Sequence, residues 1–331
     1  MGSSSHPSAA ASAEFLAVFR AHADAAGTMT FERFMAIALY HPEVGYYRRN
    51  RPRVGRGAGT DFFTASSSGP LFGELVCAAC VKLLQAAGRD PKIHRFVEIG
   101  AEPGSNGVLT GVTHPFADNL VLRVGETFRL AGDCVVFSNE LFDAQPFQRT
   151  VFRAGRWWET GVRIEGTHLL EIEHELPHNA DPSTATEGYR FDRPRAATTL
   201  AATIAAEPWR GLLVVFDYGK TLRALIEETP GGTARAYHNH TKTNDLLARP
   251  GDQDLTCHIC WDWIGDAVRQ RGFSEPKLEF QEAFFIRHAG ELIAATSAAE
   301  AQRLSQRKLA LLQLLHPAHM GQKFQVMHAL R

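Results

Sequence analysis

The sequence predicts an α/β fold built on one parallel sheet. Three stretches each run from consecutive apolar residues into an acidic residue followed by small or polar ones, at residues 95–100, 135–146 and 211–219. Such apolar runs are typical of strands that are buried on both faces of a parallel sheet. Because ligands bind at the carboxyl edge of open parallel sheets, the three stretches indicate one polar crevice along that edge.

The length and the net charge of the chain exclude several classes of protein. At 331 residues the chain is long enough for one large core with sizeable insertions. The net charge is -1, so no overall field favours nucleic acid or an anionic membrane. No apolar run approaches the roughly 18 residues of a membrane-spanning helix, and no secretory leader is recognised. We therefore expect a cytoplasmic protein that binds neither nucleic acid nor membrane.

The cysteines favour a reducing compartment, because there are five of them in a long chain. Two pairs, Cys77/Cys80 and Cys257/Cys260, have the spacing of zinc ligands. The first pair, however, lies in an apolar helical pattern, where cysteine packs as a small hydrophobic residue. We expect no metal site.

The N-terminal part is predicted to be a disordered tail over residues 1–12 and a helical lobe over residues 13–90. Helices are expected over residues 14–26, from Thr30 to just before Pro42, and over residues 72–87. The arginine-rich stretch 48–56 is either a patch for phosphate or an acidic partner, or a solvated loop. The rest, residues 91–331, is predicted to form the α/β domain, with strands at residues 96–99, 120–124 and 135–137.

Beyond Pro146 the apolar pattern has a period of two residues, which indicates antiparallel strands. A hairpin over residues 150–164 is expected to turn at Ala154-Gly155, and another strand covers residues 169–176. These strands form an insertion over about residues 150–195. The remaining elements are expected to be a helix at 196–206, the third parallel strand at 212–216, a loop at 231–240, a helix at 261–271, a strand at 277–287 and a helix at 298–315.

Many short motifs follow one another between Phe31 and His328: Leu39-Tyr-His-Pro42, Gly45-Tyr-Tyr47, Asp61-Phe-Phe-Thr64, Leu71-Phe-Gly-Glu74, Glu98-Ile-Gly100, Asn139-Glu-Leu-Phe-Asp-Ala144, Asp217-Tyr-Gly219, Gly232-Thr233, Pro250-Gly251, and Asp254-Leu-Thr256 with His258. In this order they resemble the MidA-like family of S-adenosylmethionine-dependent methyltransferases, whose mitochondrial members methylate protein arginine and help assemble respiratory complex I. The resemblance implies a class I (Rossmann-like) methyltransferase sheet with a helical N-terminal lobe and an antiparallel β insertion.

The resemblance also implies roles for individual residues. Those expected to bind S-adenosylmethionine are Asp61, Thr64, Glu98, Gly100 and Gly104. The candidate catalytic residues are Asn139, Glu140 and Asp143, because methyl transfer needs an oxygen that orients the acceptor nitrogen. Those expected to line the substrate cleft are Asp217, Tyr218, His240 and His258. A helix cap is the alternative role of Asp143, and a local hydrogen bond is the alternative role of each histidine. The alternative role of Glu98 is to hold the loop through its backbone rather than to contact the cofactor.

Three departures from the family pattern surround the cofactor. Glu102 stands where the family has the middle glycine of Gly-x-Gly-x-Gly, and a second carboxylate about 4 Å from the cofactor's would cost roughly 1 to 4 kcal/mol. Only 39 positions separate Gly100 from Asn139, so a segment carrying the acid that binds the ribose hydroxyls is missing between Gly104 and Asn119. In addition, Ser66-Ser-Ser-Gly69 replaces a proline, a glutamate and a serine that face the pocket.

Two functions fit these observations. The first is an enzyme that transfers a methyl group from S-adenosylmethionine to a protein side chain such as arginine. The alternative is a degenerate methyltransferase-like scaffold that binds no cofactor and acts as a binding or assembly protein. Both imply a protein as substrate or partner, and a homodimer is a further expectation.

Overall fold

The structure is a computed structural model that describes residues 10–48, 69–176, 182, 185–302 and 305–331. Most of the expected tail and of the arginine-rich stretch lies outside these residues. Within them, Ser12 caps the first helix by accepting a hydrogen bond from the backbone N–H of Phe15.

The helices of the described residues are α1 (Ala13–His22), α2 (Phe31–Tyr40), α3 (Pro70–Ala86), α4 (Arg195–Ala206), α5 (Leu222–Glu228), α6 (Trp261–Arg269), α7 (Gln281–Ala299) and α8 (Gln306–Leu315). The strands are β1 (Thr28–Thr30), β2 (Arg95–Ala101), β3 (Asp118–Arg123), β4 (Gly132–Asn139), β5 (Gln148–Arg153), β6 (Arg156–Glu165), β7 (His168–Glu175), β8 (Arg190–Arg193), β9 (Trp209–Asp217), β10 (Gly219–Lys220), β11 (Arg235–His238), β12 (Thr241–Thr243), β13 (Asp254–Thr256), β14 (Ile259–Cys260), β15 (Lys277–Phe280) and β16 (Gln325–Leu330).

The chain forms two compact units, each assembled from several segments. Unit 1 comprises Met1–Phe62, Asp143–Thr198 and Lys220–Cys260. Unit 2 comprises Phe63–Phe142, Thr199–Gly219 and Trp261–Arg331. The units are interleaved along the chain.

Unit 2 contains a six-stranded sheet in the order β15-β16-β9-β4-β2-β3. The four strands from β9 to β3 are parallel, whereas β16 and β15 are antiparallel to their neighbours. The three stretches that predicted a parallel sheet are β2, β4 and β9, which lie side by side in it. The α/β fold class expected from the sequence is therefore confirmed.

Helices α3, α7 and α8 contribute to the core of unit 2. Their apolar residues join those of β2, β4 and β9 in one cluster, in which the ring of Phe72 lies 5.6 Å from that of Phe216 and 6.0 Å from that of Phe285. The crossover between β2 and β3 also packs here, through Val108, Leu109 and Phe116. These residues cover the sheet without forming a helix.

The expectation of one strand over residues 277–287 and one helix over residues 298–315 is wrong. Strand β15 ends at Phe280, and α7 begins at Gln281 and continues to Ala299. The buried residues Phe284, Phe285 and Ala289 recur with the helical period, which fits a helix rather than a strand.

Unit 1 contains the antiparallel insertion. Strands β5 and β6 form the expected hairpin at Ala154-Gly155, with β8 beside β5 and both β7 and β1 beside β6. A smaller sheet has the order β12-β11-β13, so part of the loop expected at 231–240 is a strand. Thr30 caps α2 as the sequence indicates, by accepting from the backbone N–H of Arg33. Among the described helices, none is both long and apolar enough to cross a membrane.

Candidate functional site

Three neighbouring strands of the sheet in unit 2 each place a polar residue at the same edge of the sheet. Strands β2, β4 and β9 are parallel and in register, with Glu98 opposite Phe137 and Asn139 opposite Phe216. The carboxyl ends of adjacent parallel strands form the edge at which such sheets bind ligands. The structure therefore brings Glu98, Asn139 and Asp217 to the edge where the sequence predicts a crevice.

Asn139 and Glu140 form a linked pair at the end of β4. The side-chain amide of Asn139 donates to Oε1 of Glu140 at 3.0 Å, and the backbone N–H of Glu140 donates to the carbonyl of Phe216 at 3.0 Å. Glu140 has a φ of 52°, a left-handed conformation that costs a residue with a Cβ about 1 kcal/mol or more. The backbone is thus held in a strained turn at the point where it presents the carboxylate.

The side-chain amide of Asn139 also carries one acceptor, the oxygen Oδ1. Oδ1 is buried and makes no hydrogen bond to any described residue. An unsatisfied buried acceptor costs about 1 to 3 kcal/mol. A ligand that brings an N–H donor to this edge would remove that cost.

Asp217 lies at the end of β9 and is fully buried. Its Oδ2 accepts from the backbone N–H of Phe142 at 2.9 Å, and its Oδ1 accepts from that of Tyr218 at 2.8 Å. Tyr218 packs its ring 4.1 Å from that of Phe324. Expected at the substrate cleft, Asp217 thus binds backbone groups that follow β4 and β9.

Glu98 is buried near the end of β2, with 8% of its surface exposed. Its Oε2 accepts from the backbone N–H of Val108 at 2.5 Å. Burial raises the pKa of Glu98 to about 7, although the Val108 hydrogen bond and the charge of Arg123 both lower it. Within the structure, Glu98 therefore anchors the loop that follows β2.

Just before that loop, at the end of β2, lies Gly100, which has a φ of 84°. A Cβ at this position would lie 2.6 Å from Cδ1 of Leu141, so only glycine fits beside the segment that follows β4. Glu102, which stands in place of the family's middle glycine, accepts at its backbone carbonyl from the N–H of Ser105. This bond closes a turn before the chain crosses to β3.

The crossover over residues 102–117 contains turns but no helix. It agrees with the sequence analysis, which places the missing segment between Gly104 and Asn119. Strand β3 ends at Arg123, so a cation stands at the end of the strand beside β2. The guanidinium of Arg123 donates a hydrogen bond to the carbonyl of Ser105 at 2.9 Å and so holds the crossover against the end of β3. Sequence reasoning missed Arg123, because only its position beside β2 reveals this role.

The residues at this edge fit S-adenosylmethionine in two respects. A Cβ at Gly104 would meet no atom of the described residues within 4 Å, so these residues leave the backbone N–H groups of the loop open to a ligand. The unpartnered Oδ1 of Asn139 suits an N–H donor, which the amino groups of the cofactor and a guanidinium both supply. The loop from Gly100 to Gly104 would hold the carboxylate of the cofactor.

Three residues expected at the site belong to unit 1. Asp143 is buried, and its carbonyl accepts from the backbone N–H of Cys257 at 2.9 Å. His240 lies in the tight turn between β11 and β12, with a φ of 59°. His258 is largely buried, and burial together with Lys220 and other nearby cations lowers its pKa to about 4, so its ring is neutral at pH 7. Their roles in catalysis or substrate binding stay predictions.

Several family motifs meet one another inside unit 1. The Tyr47 hydroxyl donates to Oδ1 of Asp254 at 3.0 Å, and the Tyr40 hydroxyl donates to the carbonyl of Ala144 at 2.8 Å. The backbone N–H of His258 donates to Oγ1 of Thr233 at 3.1 Å. Motifs far apart in the sequence therefore fasten the same structural unit together.

Asp61 and Thr64, expected to bind the cofactor, lie outside the described residues. All five cysteines are free and buried, and Cys77 and Cys80 lie in the core on α3 as the helical pattern indicates. No group of three ligating atoms in the described part of the chain includes a cysteine.

The chain is similar to known methyltransferases in sequence and in fold. Residues 121–276 match a family described as "Putative S-adenosyl-L-methionine-dependent methyltransferase". The mitochondrial protein arginine methyltransferase NDUFAF7 of Danio rerio is 23% identical over 369 residues, covering 91% of this chain and 83% of that protein.

Two solved structures from Burkholderia thailandensis have the same fold. One, bound to S-adenosyl-homocysteine, has a TM-score of 0.84 and 25% identity, and the match covers 96% of this chain and 92% of that chain. The other, a native structure of the same superfamily, has a TM-score of 0.79 and 25% identity, with 96% and 91% covered. These matches show that the chain is similar in sequence and in fold to S-adenosylmethionine-dependent methyltransferases.

Proposed function

We propose that this methyltransferase acts on a protein and that its acceptor is the guanidinium group of an arginine. The relative from Danio rerio, which matches 91% of this chain, carries that activity in its name. The observation that carries the proposal is the Asn139-Glu140 pair at the end of β4, where a carboxylate stands beside an unpartnered amide oxygen.

This pair suits a guanidinium, which offers five N–H donors in a plane and no acceptor. The carboxylate of Glu140 attracts the cation, and Oδ1 of Asn139 accepts from one of its N–H groups. Two fixed acceptors orient one nitrogen, so much of the rate enhancement comes from positioning. S-adenosylmethionine, when bound, supplies the electrophilic methyl group. As the N–C bond forms, the bond between that methyl carbon and the cofactor's sulfur would break and S-adenosyl-homocysteine would leave. The nitrogen loses a proton, for which Glu140, directly after β4, would be the base.

Asp217 and Glu98 have supporting roles in this proposal. Asp217 holds the backbone of Phe142, two residues beyond Glu140, and Glu98 holds the loop after β2. Neither carboxylate needs to touch the acceptor. The cytoplasm as compartment and a second copy of the chain as partner stay predictions.

A second function is favoured by one observation. The crossover has no helix, and it is the region in which the segment with the acid expected to bind the ribose hydroxyls is missing. A scaffold that binds a protein partner without S-adenosylmethionine would retain the fold and these changes.

The test is methyl transfer from labelled S-adenosylmethionine to proteins of an extract, followed by hydrolysis and amino-acid analysis. We expect label in methylarginine with the wild type, and none with Glu140→Gln at a nearly unchanged thermal midpoint. The control is Asp133→Asn, which removes a carboxylate from the other end of β4, where it pairs with Arg210 at 2.7 Å. Equal labelling by Glu140→Gln and wild type would remove Glu140 from the mechanism, and label only in methyllysine would exclude the arginine acceptor.

A further inference from the structure

A cluster of three potential metal ligands lies in unit 2, outside the site described above. Glu279 is on β15, His288 is on α7 and His328 is on β16. Strands β15 and β16 are antiparallel neighbours, with Lys277 opposite His328 and Glu279 opposite Val326. Glu279 and His328 are thus diagonal neighbours on one face of the sheet, within reach of each other's side chains.

The ligand atoms converge on one point. Nε2 of His288 and Nε2 of His328 each lie 3.2 Å from the same oxygen, Oε1 of Glu279. The three atoms all lie within 4.8 Å of one another. With metal–ligand bonds of about 2.0 Å, the ligand atoms of a tetrahedral zinc site are about 3.3 Å apart. The two nitrogen–oxygen distances match that spacing, and they lie at the long limit of a hydrogen bond.

The surroundings of the cluster are nearly closed to solvent. The side chains of Glu279 and His328 are 7% and 6% exposed, and that of His288 is 13% exposed. Burial is the main reason that the pKa of each histidine is lowered, which favours the neutral ring that binds a metal.

Arg287 forms an ion pair with the second carboxylate oxygen of Glu279. Its Nη1 lies 2.7 Å from Oε2, and its side chain is 65% exposed. Oε1 therefore remains directed at the two histidines while Arg287 pairs with Oε2. Lys277 and Lys82 are the other cations that act on the cluster, on His328 and His288 respectively.

We propose that Glu279, His288 and His328 bind a divalent zinc ion. Two imidazole nitrogens and one carboxylate oxygen suit zinc, whereas magnesium and calcium prefer oxygen ligands alone. Three protein ligands leave a fourth position for water. The ion would join β15, β16 and the start of α7, three elements that otherwise meet through side-chain packing and the strand ladder.

None of the three ligands belongs to the cysteine pairs on which the expectation of no metal rests. The three ligands stand at positions 279, 288 and 328, a spacing that matches no short zinc motif. Only the pairing of β15 with β16, together with the return of the chain into α7, places them side by side.

The test is calorimetric titration of the full chain with ZnSO₄ after treatment with a chelator. We expect one strong site per chain, weakened at least tenfold in Glu279→Gln and in His328→Gln. The matched control is the double variant His316→Gln/His319→Gln, which removes an exposed pair of histidine rings 5.2 Å apart and should leave binding unchanged.

Circular dichroism shows whether each variant folds, and His288→Asn, at the more exposed ligand, serves if His328→Gln does not. Co²⁺ provides a second measurement, because two nitrogens and one oxygen in tetrahedral geometry give intense visible absorption that Glu279→Gln should abolish. Absence of a strong site in the wild type, or a strong site that is lost only in the His316/His319 control, would overturn the proposal.

Discussion

The carboxylate of Asp217 accepts a hydrogen bond from the backbone N–H of Phe142 at 2.9 Å and so joins the end of β9 to the segment that follows β4. Its other oxygen binds the N–H of Tyr218 at 2.8 Å, and the residue is fully buried. Both oxygens thus hold the backbone. Because Phe142 is two residues beyond Glu140, Asp217 positions the pair that we propose binds the acceptor.

Asp217→Asn should destabilise the protein by about 1 to 3 kcal/mol, because an amide NH₂ would face one of two buried N–H donors and leave it unsatisfied. Urea unfolding measures this change. The control is Asp133→Asn, which removes an exposed ion pair with Arg210 and should cost at most about 1 kcal/mol. If Asp217→Asn loses methyl transfer at unchanged stability, Asp217 contacts the substrate instead.

Replacing Glu140 separates the strain of the backbone from the chemistry of the side chain. Glu140→Gly and Glu140→Ala both lack the carboxylate, so neither should transfer methyl groups. At a φ of 52°, glycine is free of the strain that alanine retains, and Glu140→Gly should be more stable than Glu140→Ala by about 1 kcal/mol. Equal thermal midpoints for the two variants would show that the turn relaxes without the side chain.

Glu98 should make stability depend on pH. Burial raises its pKa from 4.5 to about 7, so between these values the folded protein keeps a proton that the unfolded chain has released. Stability therefore falls as the pH rises through this window, by an amount on the order of 3 kcal/mol, and is least affected below about pH 4.5.

Glu98→Gln should remove this dependence, because glutamine does not ionise and its carbonyl can still accept from Val108. The free energy of unfolding is measured from pH 4.5 to 7.5 for the variant and the wild type, and the pH dependence of the two is compared. Glu126→Gln is the control, since the carboxylate of Glu126 also accepts a backbone N–H, at 2.9 Å from Arg123, but is exposed. A slope that persists in Glu98→Gln would mean that another group titrates in this range.

Gly73 on α3 allows the crossover to approach the helix closely. A Cβ there would lie 2.0 Å from the carbonyl oxygen of Val108, a backbone atom that cannot move aside locally. Gly73→Ala should therefore destabilise the protein by about 1 to 3 kcal/mol, as overpacking does.

Gly290 on α7 provides the matched control, because a Cβ there would meet nothing within 4 Å. Gly290→Ala should raise stability by up to about 1 kcal/mol, since alanine favours helix more than glycine does. Thermal unfolding of both variants tests the pair. Equal effects of the two substitutions would show that the crossover shifts freely over α3.

The sequence predicted the parts of the fold that depend on local pattern. The apolar runs before Glu98, Asn139 and Asp217 identified three adjacent strands, because a strand buried on both faces needs such a run. The prediction of one strand and one helix between Lys277 and Leu315 was wrong. There α7 follows β15 directly, and no proline or glycine marks the boundary between them.

The sequence predicted that Glu98, Asn139 and Asp217 reach the same edge of the sheet, but it did not predict their hydrogen-bond partners. Nothing local shows that Asp217 binds Phe142, that Glu98 binds Val108, or that Oδ1 of Asn139 is left without a partner. These relationships depend on strand order and on the path of a crossover without a helix. Arg123 was missed for the same reason.

The central claim is that the edge formed by β2, β4 and β9 binds S-adenosylmethionine despite the short crossover. Calorimetric titration with S-adenosylmethionine and, in parallel, S-adenosyl-homocysteine tests it directly. We predict one site per chain with a Kd in the micromolar range, about -8 kcal/mol of binding free energy. No detectable binding of either ligand at millimolar concentration would contradict the account and favour the scaffold that acts through a protein partner.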